Sequence, residues 1–170
     1  MNRLLSAATP RTLPPRAHIV PIASTILGSA LSSLPLIATA PILPPLGLLM
    51  ALNWRLLRSE LWRAWMALPL GLIDDLLTGA PIGSGMVLWT SCFLAFDVVD
   101  NRLIWRDHWQ DWLISATALT LCLIGGWLFV RIEGGGGSLL LVLPQLVIAI
   151  LCTPALVRLC ARLDRWRLHR

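Results

Sequence analysis

The sequence predicts an all-α integral membrane protein, a bundle of six transmembrane helices whose N- and C-termini both lie in the cytoplasm. The composition and length predict a membrane protein, and the distribution of arginine along the chain predicts its topology. Of the 170 residues, 56% are apolar and 14% are charged, and the mean hydropathy is +0.74. Soluble domains are about 45–50% apolar and about 25% charged. A soluble chain this short cannot form a hydrophobic core large enough to bury the additional apolar side chains. This composition excludes a disordered tail, a secreted disulfide scaffold and a nucleic-acid-binding domain.

Six apolar runs are candidate spans, since a transmembrane helix needs about 20 residues. The runs cover residues 19–40, 42–54, 65–77, 85–96, 113–130 and 139–157. The run at 42–54 is short and is interrupted by two adjacent prolines, so it must extend, tilt, thin the bilayer or pack inside the bundle. Five spans remain open if that run is re-entrant. The predicted domains are a basic leader at 1–18, the six-span domain at 19–157 and an Arg-rich tail at 158–170.

Arginine supplies all of the Lys and Arg charge, and its positions alternate between the two sides of the predicted bundle. Thirteen of the 14 arginines lie in the leader, in the loops 55–63 and 97–111, and in the tail. The loops on the other side hold only Arg131. Cytoplasmic loops of membrane proteins are enriched in Lys and Arg, so this bias places both termini in the cytoplasm.

Two carboxylates, Asp74 and Asp75, lie well inside the third run. A carboxylate in lipid is costly, so an acid at this depth indicates either a proton, ion or substrate contact or a structural role between helices. Adjacent residues point about 100° apart on a helix, so the pair is not a face-to-face acid dyad. Gly71, Asp75 and Gly79 are spaced by four, and small residues at that spacing let two helices approach closely. We therefore expect Asp75 to lie in a tight seam between helices.

A second face of small residues lies in the first run. Ser24, Gly28 and Ser32 are also spaced by four, so they share one side of the predicted helix. This spacing predicts a second helix-packing face.

Acidic residues in the 97–111 stretch leave one enzymatic alternative open. Carboxylate pairs hold Mg²⁺ in some lipid-modifying enzymes, and the pairs here are Asp97 with Asp100 and Asp107 with Asp111. Arginines are interleaved with these acids, so local ion pairing is the simpler interpretation. The chain has no GxSxG, HExxH, P-loop or GxGxxG motif. We therefore predict neither an enzyme nor a cofactor.

The stretch 71–83, which reads Gly-Leu-Ile-Asp-Asp-Leu-Leu-Thr-Gly-Ala-Pro-Ile-Gly, resembles the signature of the rod shape-determining MreD family. The matching positions are Gly71, Asp75, Gly79, Pro81 and Gly83. The length, the basic leader, the short spans and the Arg-rich tail are also similar to that family. In this interpretation the five residues shape a hairpin that either supports the fold or meets a partner.

The resemblance implies a non-enzymatic, multi-pass component of the bacterial inner membrane that belongs to the cell-elongation machinery. Its implied partner is an MreC-type membrane-anchored protein. Through that partner it would act with the MreB filament and with the peptidoglycan synthase of RodA and a penicillin-binding protein. Regulation of cell shape, with no cofactor, is the implied function.

A transporter subunit is the alternative from a different functional class. The bundle of the MreD family is thought to be similar to the substrate-binding subunits of ECF-type vitamin transporters, so a small six-helix protein could itself bind a small molecule. Such a site needs several polar groups converging on a cavity. The runs supply only Asp74, Asp75, Gln145 and scattered Ser and Thr.

Overall fold

The computed structural model describes residues 16–33, 43–58, 62–102, 108–135 and 137–168. These residues contain six α-helices and no strand. The helices are α1 (Arg16–Ser32), α2 (Leu46–Leu57), α3 (Ala67–Thr78), α4 (Ser84–Arg102), α5 (His108–Ile132) and α6 (Val142–Leu168). Short 3₁₀ turns, Ala64–Met66 and Leu139–Leu141, precede α3 and α6. Each of the six predicted runs overlaps one helix, so the all-helical class is confirmed.

Helix α2 lies at the centre of the bundle. Every residue from Gly47 to Arg55 is buried, and α1, α5 and α6 all pack against this helix. Its 12 residues extend over about 18 Å, which is less than the roughly 30 Å of a hydrocarbon core. Of the alternatives open for the run at 42–54, packing inside the bundle is the one observed.

Helices α5 and α6 carry the strongest membrane signal. Residues Trp109–Ile132 and Leu139–Arg167 are long and apolar enough to cross a membrane by length and composition. Only a small part of each apolar stretch is buried against the rest of the bundle. Helices α1 and α2 are apolar but shorter. Two such helices indicate membrane association and do not by themselves define the number of spans.

Several helices extend beyond the predicted boundaries. Helix α6 continues without a break from the last apolar run through the predicted tail to Leu168, and α4 runs to Arg102 in the predicted polar loop. Helix α1 begins at Arg16, inside the predicted leader, and residues 1–15 lie outside the described residues. The reason is that arginine is a good helix former, so a charged residue ends an apolar run without ending the helix.

Buried ion pairs hold one end of the bundle, which we name the arginine end. Arg55, in the last turn of α2, pairs with Asp97 and with Asp100 of α4, the latter at 3.0 Å. The sequence places Arg55 in a charged loop, whereas the structure places it in the last turn of α2, where it is 3% exposed. Two carboxylates from a neighbouring helix compensate its charge, which makes burial of the guanidinium tolerable.

A second charged cluster ties α2 to α6 at the same end. Asp164 of α6 accepts hydrogen bonds from Arg58 at 3.0 Å and from Arg167 at 2.7 Å. The Arg167 guanidinium also lies over the Trp54 ring, 5.2 Å from its centroid. The Trp54 indole N–H in turn donates to the Ser24 hydroxyl at 2.9 Å. Helices α1, α2 and α6 are therefore connected through polar contacts at the arginine end.

Replacing Arg55 with glutamine should lower the free energy of unfolding by about 2 kcal/mol. The variant removes the cation that Asp97 and Asp100 share, and the partial exposure of Asp97 keeps the loss below that of a fully buried pair. Thermal unfolding in mild detergent measures the effect. Arg63→Gln is the matched control because Arg63 is exposed. Equal unfolding midpoints for the two variants would contradict the proposed contribution of the ion pair.

Candidate functional site

The opposite end of the bundle, which we name the hairpin end, contains the tight turn between α3 and α4. Gly79 ends α3 in the left-handed conformation, with φ 69° and ψ 22°. Gly83 also has a positive φ, of 96°, which residues with a Cβ rarely adopt. The Pro81 carbonyl accepts the Ser84 N–H at 3.0 Å and closes the turn. Three of the five motif residues therefore reverse the chain within a few residues.

Asp75 joins the two helices of this hairpin. The side chain is 2% exposed and lies where α3 meets the first turn of α4. Its carboxylate accepts the Gly83 N–H at 2.9 Å, the Gly85 N–H at 2.8 Å and the Ser84 hydroxyl at 3.2 Å. The first N–H groups of a helix have no partner within the helix, and a carboxylate there also interacts favourably with the helix dipole. Asp75 thus caps α4 from the neighbouring helix.

Gly71 and Gly85 allow α3 and α4 to approach this closely. A Cβ on Gly71 would lie 2.6 Å from the carbonyl carbon and oxygen of Gly85. A Cβ on Gly85 would lie 2.6 Å from Asp75 Oδ1 and 2.8 Å from the Gly71 carbonyl oxygen. Both positions therefore require glycine, because the atoms in the way belong to backbone or to the capping carboxylate.

Asp74 points to different neighbours from Asp75. Its carboxylate lies beside the Ser29 hydroxyl of α1 and 3.1 Å from where a Cβ on Gly47 would be, at the start of α2. The two acids therefore contact different helices, as the angle between adjacent helical residues requires. They connect α3 to α4 on one side and to α1 and α2 on the other.

The second small-residue face, in α1, is directed at α2. Ser24 accepts the Trp54 indole N–H, and Ser32 accepts the Leu46 N–H at 2.9 Å. A Cβ on Gly28 would lie 3.0 Å from the Leu46 carbonyl oxygen. All three residues of this face thus lie against α2, and Ser32 supplies a side-chain acceptor at the start of that helix.

Gly79 has a different role from the one its spacing suggests. A Cβ there would meet nothing within 4 Å, so the residue is not part of the helix seam. Its role is to end α3, which requires the positive φ. The seam uses Gly85 instead, a residue that the spacing argument missed. The run Gly83-Ser84-Gly85 was the available signal, because Ser and Gly are favoured where helices begin.

In the described residues, the carboxylates of the enzymatic alternative do not come together in a metal site. Asp97 and Asp100 both pair with Arg55, while Asp107 lies outside the described part of the chain and Asp111 lies on α5. Within that part, no three His, Cys, Asp or Glu side chains form a group that could hold a metal ion. Within the described residues, the ion pairs of Asp97 and Asp100 reach across to Arg55 of α2.

The surface of the described structure includes an apolar groove and a cleft at the hairpin end. A groove of about 230 Å³ between α4 and α5 is almost entirely apolar and is lined by residues such as Cys92, Phe96 and Ile114. A cleft of about 490 Å³ at the hairpin end lies between the turn at 79–82 and two residues near the end of α5, Val130 and Glu133. The motif residues Gly79 and Pro81 line this second cleft.

Comparison of the chain with models of protein families, with curated proteins and with solved structures finds no match.

Proposed function

We propose that the chain is a multi-pass protein of the bacterial inner membrane, with all six helices in the bundle and the arginine end in the cytoplasm. Support comes from an arrangement in which large apolar side chains are exposed on the outside of the bundle while several charged side chains are buried inside it. Leu121, Leu140 and Leu151 are 59%, 71% and 69% exposed. The buried side chains include Arg55, Asp75 and Asp164. A continuous exposed apolar surface marks contact with lipid or with another protein.

Within that membrane, the chain is a non-enzymatic scaffold of the cell-elongation machinery that regulates cell shape. The observation that carries this proposal is that the signature at 71–83 builds one compact unit. Gly71 provides the close approach, Asp75 provides the cap, and Gly79, Pro81 and Gly83 provide the turn. Because all five residues build the hairpin, they fix the shape of the surface beside it, as expected for a protein that binds a partner there.

The surface beside this hairpin is the proposed contact for the membrane helix of an MreC-type partner. Leu76 and Ile82 are 64% and 78% exposed, and they flank the turn that Asp75 holds in place. The cleft next to them is bordered by Val130 and Glu133 of the α5 end. The MreB filament and the synthase of RodA with a penicillin-binding protein would join through that partner.

The transporter alternative is less well supported by the contacts of its polar groups. Asp75 is engaged by α4, Asp74 lies against Ser29, and Gln145 donates to the Leu43 carbonyl at 2.9 Å. These groups serve the contacts between helices rather than converge on one cavity. The groove between α4 and α5 is apolar, so it lacks the polar groups that orient a small polar ligand.

Co-purification with a co-expressed MreC-type protein tests the scaffold. Wild-type protein in mild detergent should retain the partner, and Leu76→Ser/Ile82→Ser should retain about tenfold less, which corresponds to a loss of about 1.4 kcal/mol for the two contact residues together. Leu140→Ser/Leu151→Ser is the control, since these residues are similarly exposed, in the 3₁₀ turn before α6 and on α6. Wild-type protein that retains no such partner, or that instead retains an ATPase pair with a coupling subunit, would refute the scaffold, and the second result would favour the transporter.

A further inference from the structure

A stripe of arginines runs along the outer face of the last turns of α6. Arg158, Arg162 and Arg165 are all exposed and, at 3.6 residues per turn, lie within about 60° of one another. In the described residues, no carboxylate forms an ion pair with any of the three. We name these three residues the α6 stripe.

The α6 stripe continues the apolar face that α6 turns away from the bundle. Val147 and Leu151, about three and two turns before Arg158, are 54% and 69% exposed. Their spacing to Arg158 places them in the same sector of the helix as the stripe. If the apolar part of this face contacts lipid chains, the arginines that follow it point away from the bundle, into the lipid headgroups around α6. They do not point toward the centre of the cytoplasmic surface of the protein.

The rotation of α6 is held by contacts on its opposite side. Cys160, Asp164 and Arg167 are buried and lie about half a turn away from the stripe. Asp164 pairs with Arg58, and Arg167 lies over Trp54, both residues at the end of α2. These contacts keep the helix from turning, so the α6 stripe is a fixed feature of the surface.

The depth of Arg158 and Arg162 matches the headgroup layer of a bilayer. The uncharged stretch 139–157 is about 28 Å long as a helix, close to the roughly 30 Å of a hydrocarbon core. Arg158 follows at once and Arg162 lies about 6 Å further along the axis, within the about 5–7 Å that the headgroups occupy on each side. Arg165 begins about 10 Å beyond Arg158, but its side chain turns back along the helix, since its Nε donates to the Ala161 carbonyl at 3.3 Å.

We infer that the α6 stripe is a binding site for the phosphate of anionic phospholipids, such as phosphatidylglycerol, in the leaflet at the arginine end. Arginine presents several N–H donors in a planar fork that matches a phosphate. The outward direction and the interfacial depth favour a lipid headgroup over an acidic protein, which would approach from the aqueous side. The inference rests on the membrane embedding of α6 and is independent of the role in cell shape.

Native mass spectrometry of the detergent-solubilised protein, titrated with phosphatidylglycerol or phosphatidylcholine, tests the site. The first phosphatidylglycerol should bind about tenfold more tightly than phosphatidylcholine. Arg158→Gln/Arg162→Gln should abolish that preference, because a contribution of up to about fivefold per arginine accounts for all of it, while Arg158→Lys/Arg162→Lys should retain most of it. The control Arg63→Gln/Arg131→Gln removes the same charge elsewhere and should keep the full preference.

Four results would overturn the inference. They are no preference in the wild-type protein, an unchanged preference in the Gln variant at unchanged thermal stability, an equal loss in the control, and complete competition by millimolar inorganic phosphate. The last result would assign the stripe to a soluble phosphate compound instead of a lipid. Retention of the MreC-type partner is measured separately, so failure of the lipid site and failure of the scaffold give different outcomes.

Discussion

Replacing Asp75 with leucine should lower the midpoint of thermal unfolding by roughly 10 °C, which corresponds to about 4 kcal/mol for a chain of this size. The change removes the acceptor for the N–H groups of Gly83 and Gly85 and for the Ser84 hydroxyl. Each buried donor left without a partner costs about 1–3 kcal/mol, and Ser84 and Gly85 are both buried. Size-exclusion chromatography of heated samples in mild detergent provides the measurement.

Two further variants distinguish the effect of losing the capping hydrogen bonds from the effect of losing a negative charge. Asp75→Asn keeps one acceptor oxygen and should lose about half as much stability as Asp75→Leu. Glu133→Gln is the control, since Glu133 is an exposed acid at the same end of the bundle. If Asp75→Leu unfolds at the wild-type temperature, the carboxylate does not cap α4. That result would favour the alternative interpretation, in which Asp75 contacts a proton or an ion.

Replacing Gly71 with alanine should strongly reduce the yield of folded protein, although the change adds only one methyl group. The new Cβ would meet the Gly85 carbonyl group at 2.6 Å and the Met86 nitrogen at 2.7 Å. These are backbone atoms of α4, so the whole helix must move to relieve the overlap and would carry its capped first turn away from Asp75. Overpacking of this kind costs about 1–3 kcal/mol, and loss of the cap adds to it.

The matched control for this variant lies on α5. Gly126 is also helical, but a Cβ there would meet nothing within 4 Å. Alanine has the higher helix propensity, so Gly126→Ala should give at least the wild-type yield of monodisperse protein. Equal yields of Gly71→Ala and Gly126→Ala would show that α3 and α4 do not approach as closely as described.

The sequence predicts the structural features that depend on residues close together along the chain. The apolar runs marked all six helices, and the spacing of Gly71 and Asp75 pointed to the seam in which Asp75 lies. Turn and seam residues stand close together in sequence, so their chemistry can be read from a short stretch. Gly79 shows the limit of spacing alone: the residue fits the periodicity of the seam, yet it ends the helix.

What could not be predicted depends on which helices become neighbours. Arg55 was assigned to a loop because its charge ended an apolar run, and its burial depends on Asp97, more than 40 residues later in sequence. Asp74 is not among the matching positions of the motif, and its neighbours Ser29 and Gly47 lie on two other helices. Pairing across helices requires the packing arrangement, which local pattern does not encode.

The burial of α2 on all sides has a consequence for the biogenesis of the protein. A 12-residue helix is too short to cross a hydrocarbon core alone, and it ends in a charged side chain, Arg55. Two of the helices that pack against it, α5 and α6, are synthesised later, and so are the carboxylates of α4 that pair with Arg55. Until the ribosome has made α6, the nascent chain has a central helix that lacks part of its packing. The folding of this segment is therefore coupled to completion of the bundle.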